Sequence, residues 1–222
     1  MASPFLLASQ GKIDEVLQHV SADEEPWQVR NAEGESLILF CLYRGLEECL
    51  TRLLERTRTL PLHEAAALGR ADEVEALLKS APWSVNLLSP DGWTALYLAA
   101  FVGRNNRVLD VLLARGAEPD IESRAFLCNI PLHAACAGRN VEAALRLADA
   151  TANVDWQSDV MQHTALMIAA ANGLESVVAR LLTRGANPQR GTTDGKTPLN
   201  LARENGHEAI VRLLEHRGAT DD

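Results

Sequence analysis

No stretch of the chain approaches the run of about eighteen uncharged apolar residues that a membrane span needs, so no transmembrane segment is expected. The start, Met1 to Gln10, has no basic region, and its apolar run is only Phe5-Leu6-Leu7. A secretory signal is therefore not expected, and the reading places the chain in the cytoplasm. Cysteine is scarce: Cys41, Cys49, Cys128 and Cys136 are the whole set, with no C-x-x-C pair. That set is too small and too irregular for a disulfide framework, and reduced thiols are expected. Positive charge is also short, with 21 basic against 30 acidic residues and a net charge of −9. Nucleic acid, whose phosphates reward the opposite sign, is disfavoured as a partner. No P-loop, G-x-S-x-G, H-E-x-x-H or G-x-G-x-x-G occurs, which leaves the chemistries that depend on them without a foothold.

What is present is globular composition, 47% apolar and 23% charged over 222 residues. That suffices for one ordinary domain or for a row of small repeats. The acid excess is uneven. Residues 1–55 carry ten acids against four bases, net −6, and the remainder 20 against 17, net −3. Such a field steers a basic partner surface toward the N-terminal end, although a solvated acidic face has the same signature. Arginine outnumbers lysine eighteen to three, which fits Arg-rich contacts or a GC-rich genome equally.

Self-comparison decides the architecture. Thr164-Ala-Leu-Met-Ile-Ala-Ala-Ala-Asn-Gly173 is repeated in plan by Thr197–Gly206, Thr94–Gly103 and Leu60–Gly69. Ile130–Gly138 follows one residue short, and Ser36–Gly45 and Ser3–Gly11 are degenerate copies. The anchors at 3, 36, 60, 94, 130, 164 and 197 are spaced by 33, 24, 34, 36, 34 and 33 residues. Each leads to a second apolar run at helical spacing, such as Val177, Val178, Leu181 and Leu182, and several runs end on a capping glycine, as in Arg184-Gly185-Ala186. Each unit therefore reads as helix, tight turn, helix and returning loop. An anchor Ser or Thr suits an N-cap, and a following proline suits the first turn. Pairs such as Ala99-Ala100 let neighbouring helices approach closely, so stacked units share one core.

Pro131-Leu132-His133 with Ala135, Pro61-Leu62-His63 with Ala65, Asp194-Gly195-Lys196-Thr197-Pro198-Leu199, Gly206-His207-Glu208 and Gly185-Ala186-Asn187-Pro188 carry a resemblance to the ankyrin repeat proteins. It covers residues 3 to about 220. It implies an all-α solenoid of about seven helix-turn-helix units with short β-hairpin fingers, forming a single domain over 1–222. The units fall near 1–33, 34–57, 58–91, 92–127, 128–161, 162–194 and 195–222, the first and last acting as caps. Only 24 residues separate anchors 36 and 60, so the finger near residues 55–59 is expected to be missing, leaving a notch.

The resemblance implies a non-catalytic, cofactor-free module that binds another protein on its concave surface of fingers and inner helices. The template exposes positions around each anchor and before each turn, and the partner-binding candidates are Tyr43, Arg44, Trp93, Phe101, Val102, Phe126, Leu127, Met161 and His163. Large apolar groups at such positions suggest one patch over units four to six, fitting a partner with a basic and apolar surface. Trp27 and Trp83, in a duplicated Pro-Trp-x-Val phrase, read instead as loop packing, as does Trp156. Burial of Phe101 and Val102 between repeats is the plainer alternative for those two. A monomer is expected, with self-association through the patch as the alternative.

His63 and His133 share the anchor-plus-three position, where the family's histidine is structural; Tyr97, Met167 and Asn200 fill it elsewhere, which a shared catalytic duty would forbid. Cys128, His133 and Cys136 form the best metal candidate, with no fourth ligand evident. Two rival functions follow: a dedicated inhibitor or immunity-type subunit that blocks one enzyme, and a metal-dependent enzyme using Cys128, His133 and Cys136.

Overall fold

The structure is a computed structural model and describes residues 2–21, 23–103, 105–124, 129–157, 159–160 and 162–219. These residues hold fourteen α-helices in seven antiparallel pairs and no extended strand. The pairs are α1 Pro4–Ser9 with α2 Ile13–His19, α3 Leu37–Tyr43 with α4 Glu47–Glu55, and α5 Leu62–Ala67 with α6 Ala71–Ser80. They continue with α7 Ala95–Val102 and α8 Arg107–Ala114, α9 Pro131–Ala137 and α10 Val141–Ala150, α11 Ala165–Ala171 and α12 Glu175–Thr183, and α13 Pro198–Glu204 and α14 Glu208–His216. The chain is the all-α solenoid that its repeats imply.

The anchors start the inner helices by the chemistry expected of them. Ser3, Ser36, Thr94, Thr164 and Thr197 each accept a hydrogen bond from the backbone N–H three residues on, at 3.0–3.2 Å. Anchors 60 and 130 are apolar and cap nothing; α5 starts one residue late, with Pro61 outside the helix. The alanine pairs do what their size permits: Ala65, Ala66, Ala99, Ala100, Ala169 and Ala170 are all buried between inner helices. Leu53, Leu78, Leu109, Leu112, Leu147, Val178 and Leu214 are buried from the outer row, so one apolar interior runs along the stack. On the last pair Arg203, Glu204, Glu208, Arg212 and Glu215 face water, while Ile210, Val211 and Leu214 face inward.

The fifth pair is not one residue short. The left-handed turn position stays nine residues after the anchor, where it falls on Arg139 at φ 57° instead of on a glycine. Gly138 is needed for another reason: a β-carbon there would lie 2.2 Å from the Phe101 carbonyl oxygen. Close approach of α7 and α9 displaced the glycine by one position.

Turn residues stitch successive pairs together. Asn105 Nδ2 donates to the Gly69 carbonyl at 3.0 Å, Asn140 Nδ2 to the Ala100 carbonyl at 3.2 Å, and Asn172 Nδ2 to the Cys136 carbonyl at 3.1 Å. His207 Nε2 meets the Ala171 carbonyl at 3.1 Å in the same way. The asparagine pair inserted after α7 thus serves the stack.

Antiparallel bridges close the fingers at Arg30–Ser36 and Leu88–Thr94. Between α4 and α5 the chain passes directly, so the finger expected to be absent is absent. The flanking fingers close the resulting gap at its tip, where Gly34 abuts Pro90, and Arg30 reaches back to the buried Glu64 of α5 at 3.4 Å. On the outer side a groove of about 450 Å³ remains between α4 and α6, lined by Leu54, Thr57, Leu60, Arg70 and Glu73.

Candidate functional site

The C-terminal ends of α3 and α7 form a lip. Tyr43 and Phe101 belong to the second and fourth pairs, yet their rings meet edge to face with centroids 6.4 Å apart and planes at 76°. The intervening α5 ends in Ala65-Ala66-Ala67, side chains too small to hold them apart. Phe101 remains 38% exposed, whereas Tyr43 and Val102 are half-buried against the core. Arg44 lies with its guanidinium carbon 3.7 Å from the centre of the Phe40 ring and pairs with Glu35 at 2.9 Å. Glu35 also accepts from Asn31 Nδ2 at 2.9 Å, which binds the finger to the lip.

Trp93, at the base of the next finger, stacks on the buried Tyr97 with centroids 4.3 Å apart. Beside it a cleft of about 680 Å³ opens among Glu33, Glu35, Tyr43, Asp91, Trp93 and Arg124. The Tyr43 hydroxyl and Asp91 Oδ2 are buried there without a hydrogen-bond partner; Asp91 Oδ1 accepts from Ser89 Oγ at 2.5 Å. Burial raises the Tyr43 phenol well above its ordinary range, and Asp91, Glu35 and Glu64 push it the same way. Burial also raises the Glu64 carboxyl, against the pull of Arg30. This region can supply aromatic surface and shape, with Glu35 paired to Arg44 and Glu64 to Arg30.

The anchor-plus-three histidines are tied to backbone. His63 Nε2 meets the Leu87 carbonyl at 2.9 Å, and His133 Nε2 meets the His163 carbonyl at 3.1 Å, each holding a downstream loop to its inner helix. His133 is 1% exposed, and burial lowers its pKa to about 4. Trp156 packs edge-on against its ring at 5.1 Å. Cys136 is wholly buried, which pushes its thiol up to about 12. Cys128 lies outside the described residues, and among those described no group of three His, Cys, Asp or Glu side chains is placed to hold a metal ion.

Of the residues singled out in the sequence, Tyr43, Arg44, Trp93, Phe101 and Val102 therefore gather around the ends of α3 and α7 and the finger between them. His163 stands apart, half-buried above His133. Phe126, Leu127 and Met161 lie outside the described residues. One aromatic ring was missed. Trp83, in a short 3-10 turn Pro82–Ser84, is 74% exposed, with Leu87 nearby in sequence also exposed. Its twin in the duplicated phrase, Trp27, packs against the core, so the shared phrase concealed opposite environments.

A family described as Ankyrin repeats, three copies, matches over residues 5–123, 105–192 and 132–221. A transient receptor potential cation channel subfamily A member 1 homolog from Caenorhabditis elegans is 34% identical over 156 residues, 69% of this chain and 12% of that protein. The tyrosine-protein kinase Shark of Drosophila melanogaster is 31% identical over 69% of the chain and 16% of its own length. The ankyrin repeat protein nuc-2 of Neurospora crassa is 29% identical over 84% of the chain and 17% of that protein. The chain thus spans between about an eighth and a sixth of the length of these relatives.

Proposed function

The chain belongs to the ankyrin repeat family, and on that premise we propose that it is a non-catalytic module, one domain over 1–222 with its first and last units as caps, that grips a partner protein on its fingers and inner-helix ends. Repeats of this family are in general protein–protein interaction modules, typically without enzymatic activity. The observation that carries the reading is the lip itself: Phe101 stays exposed while its edge is braced by Tyr43 from two pairs away. A held, half-exposed aromatic loses little freedom when covered, and such anchors dominate binding energy.

Tyr43, Arg44, Trp93, Phe101, Val102 and His163, together with Phe126, Leu127 and Met161 from the sequence reading, are the proposed contact residues. The acid excess of residues 1–55 suits a partner with a basic as well as an apolar surface and sets encounter rate more than affinity. No described helix is long and apolar enough to cross a membrane, and a cytoplasmic setting is part of the proposal.

The test is capture of a partner from native lysate by the intact chain, repeated with Phe101→Ala. The truncation removes exposed ring surface, so binding is expected to fall at least tenfold while thermal unfolding stays cooperative. Capture at unchanged affinity would move the interface away from the lip.

A further inference from the structure

Two cysteines that the binding surface does not use face each other inside the second helix pair. Cys41 lies in the middle of α3 and Cys49 in the first turn of α4, and their sulfurs are 3.5 Å apart, with the Cys41 S–H donating to Cys49. Both are free thiols, 0% and 3% exposed. A disulfide sulfur pair stands about 2.05 Å apart, so closure asks for an approach of about 1.5 Å. Toward its C-terminal end α4 borders the groove to α6 through Leu54.

The two thiols differ in character. The S–H donated by Cys41 lowers the Cys49 pKa against the effect of burial, and the start of a helix also favours a thiolate. Donation to Cys49, with burial behind it, raises the Cys41 thiol far above its usual range. Cys49, which accepts the Cys41 S–H and stands at the start of α4, is assigned as the attacking sulfur and Cys41 as the resolving one. Cys136 sits alone in an apolar core, with its thiol pushed up to about 12.

We propose that Cys41 and Cys49 are a peroxide-reactive dithiol that closes reversibly into a disulfide, stapling the inner helix that carries Tyr43 and Arg44 to its outer helix. The Cys49 thiolate attacks one oxygen of hydrogen peroxide; the O–O bond breaks, and the hydroxide that leaves takes up the proton Cys49 released on ionising, giving a sulfenic acid and one water. Cys41 then attacks that sulfur; the S–O bond breaks as the S–S bond forms, and the hydroxide expelled from the sulfenic acid takes the Cys41 proton as a second water. Overall two thiols and one peroxide give one disulfide and two waters. A dithiol reductant reverses the step by exchange.

The experiment treats the folded full-length chain with excess hydrogen peroxide, follows intact mass and maps the peptides. The expected product has lost two hydrogen atoms, joins the peptides containing Cys41 and Cys49, keeps its helical circular dichroism and is restored by dithiothreitol. Cys41→Ser should stop at oxygen adducts on Cys49, and Cys49→Ser should leave Cys41 unoxidised. Circular dichroism of each variant before treatment separates misfolding from lost reactivity. Oxygen adducts on wild-type Cys49 without a cross-link, or a cross-link that forms only in urea, would overturn the proposal.

Discussion

Gly34 at the tip of the first finger rests against Pro90 at the tip of the next, so tightly that a β-carbon on residue 34 would lie 2.7 Å from the Pro90 carbonyl oxygen. Residue 34 also has φ +84°, a region that side chains avoid. The contact closes, at the fingertips, the gap left by the missing finger.

Gly34→Ala is therefore expected to destabilise the chain by about 1–3 kcal/mol, from left-handed strain and overpacking together. Gly195, at φ +81° with open space where its β-carbon would go, isolates the strain alone. Urea denaturation of Gly195→Ala should show the smaller loss, about 1 kcal/mol; equal losses for the two would mean the fingertips do not press together.

The fifth turn makes the opposite prediction at adjacent residues. Arg139→Gly relieves a left-handed side-chain residue and should stabilise by about 0.5–1 kcal/mol. Gly138→Ala drives a methyl into the Phe101 carbonyl and should destabilise by more than that gain. Thermal melts of the two variants should shift in opposite directions.

His133 ties stability to pH. Its folded pKa, about 4, lies below the ordinary 6.5 because burial disfavours the cation. The unfolded chain thus binds the proton first, and stability is complete above 6.5 and drains away as pH falls toward 4. Between pH 7 and 5 the loss should be roughly 1–2 kcal/mol, with His63, lowered by the same cause, adding to it. Urea unfolding across that range should show the slope, and His133→Gln should flatten it.

Tyr43→Phe deletes a hydroxyl that is buried without a partner. The ring and its contact with Phe101 survive, so stability should stay level or rise by up to about 1 kcal/mol. A clear loss would reveal a hydrogen bond that the hydroxyl makes in solution.

Repetition made the fold legible, because a helix pair that recurs seven times states its caps, turns and core positions seven times over. Ser36 and Thr164 were readable as N-caps from type and position alone. The departures were not. Pattern alone took Gly138 as a shortened repeat, whereas a steric demand from Phe101, 37 positions earlier in the sequence, fixes it. The lip was partly visible: Tyr43 and Phe101 were each marked by position, but their contact depends on α5 being short and alanine-tipped. Trp83 and Trp27 share a phrase and differ in burial, because the loop around each, rather than the phrase, decides what covers the ring.

The groove between α4 and α6 makes the stack unequal along its length. Residues before Arg56 meet the remainder through Gly34 with Pro90, Arg30 with Glu64 and Tyr43 with Phe101 on the finger side, through the shared core, and through Glu25 with Arg58. On the outer side, where the groove lies, α4 and α6 lend each other little support. The segment before the groove, which carries most of the net negative charge, should be the part of the stack that yields first.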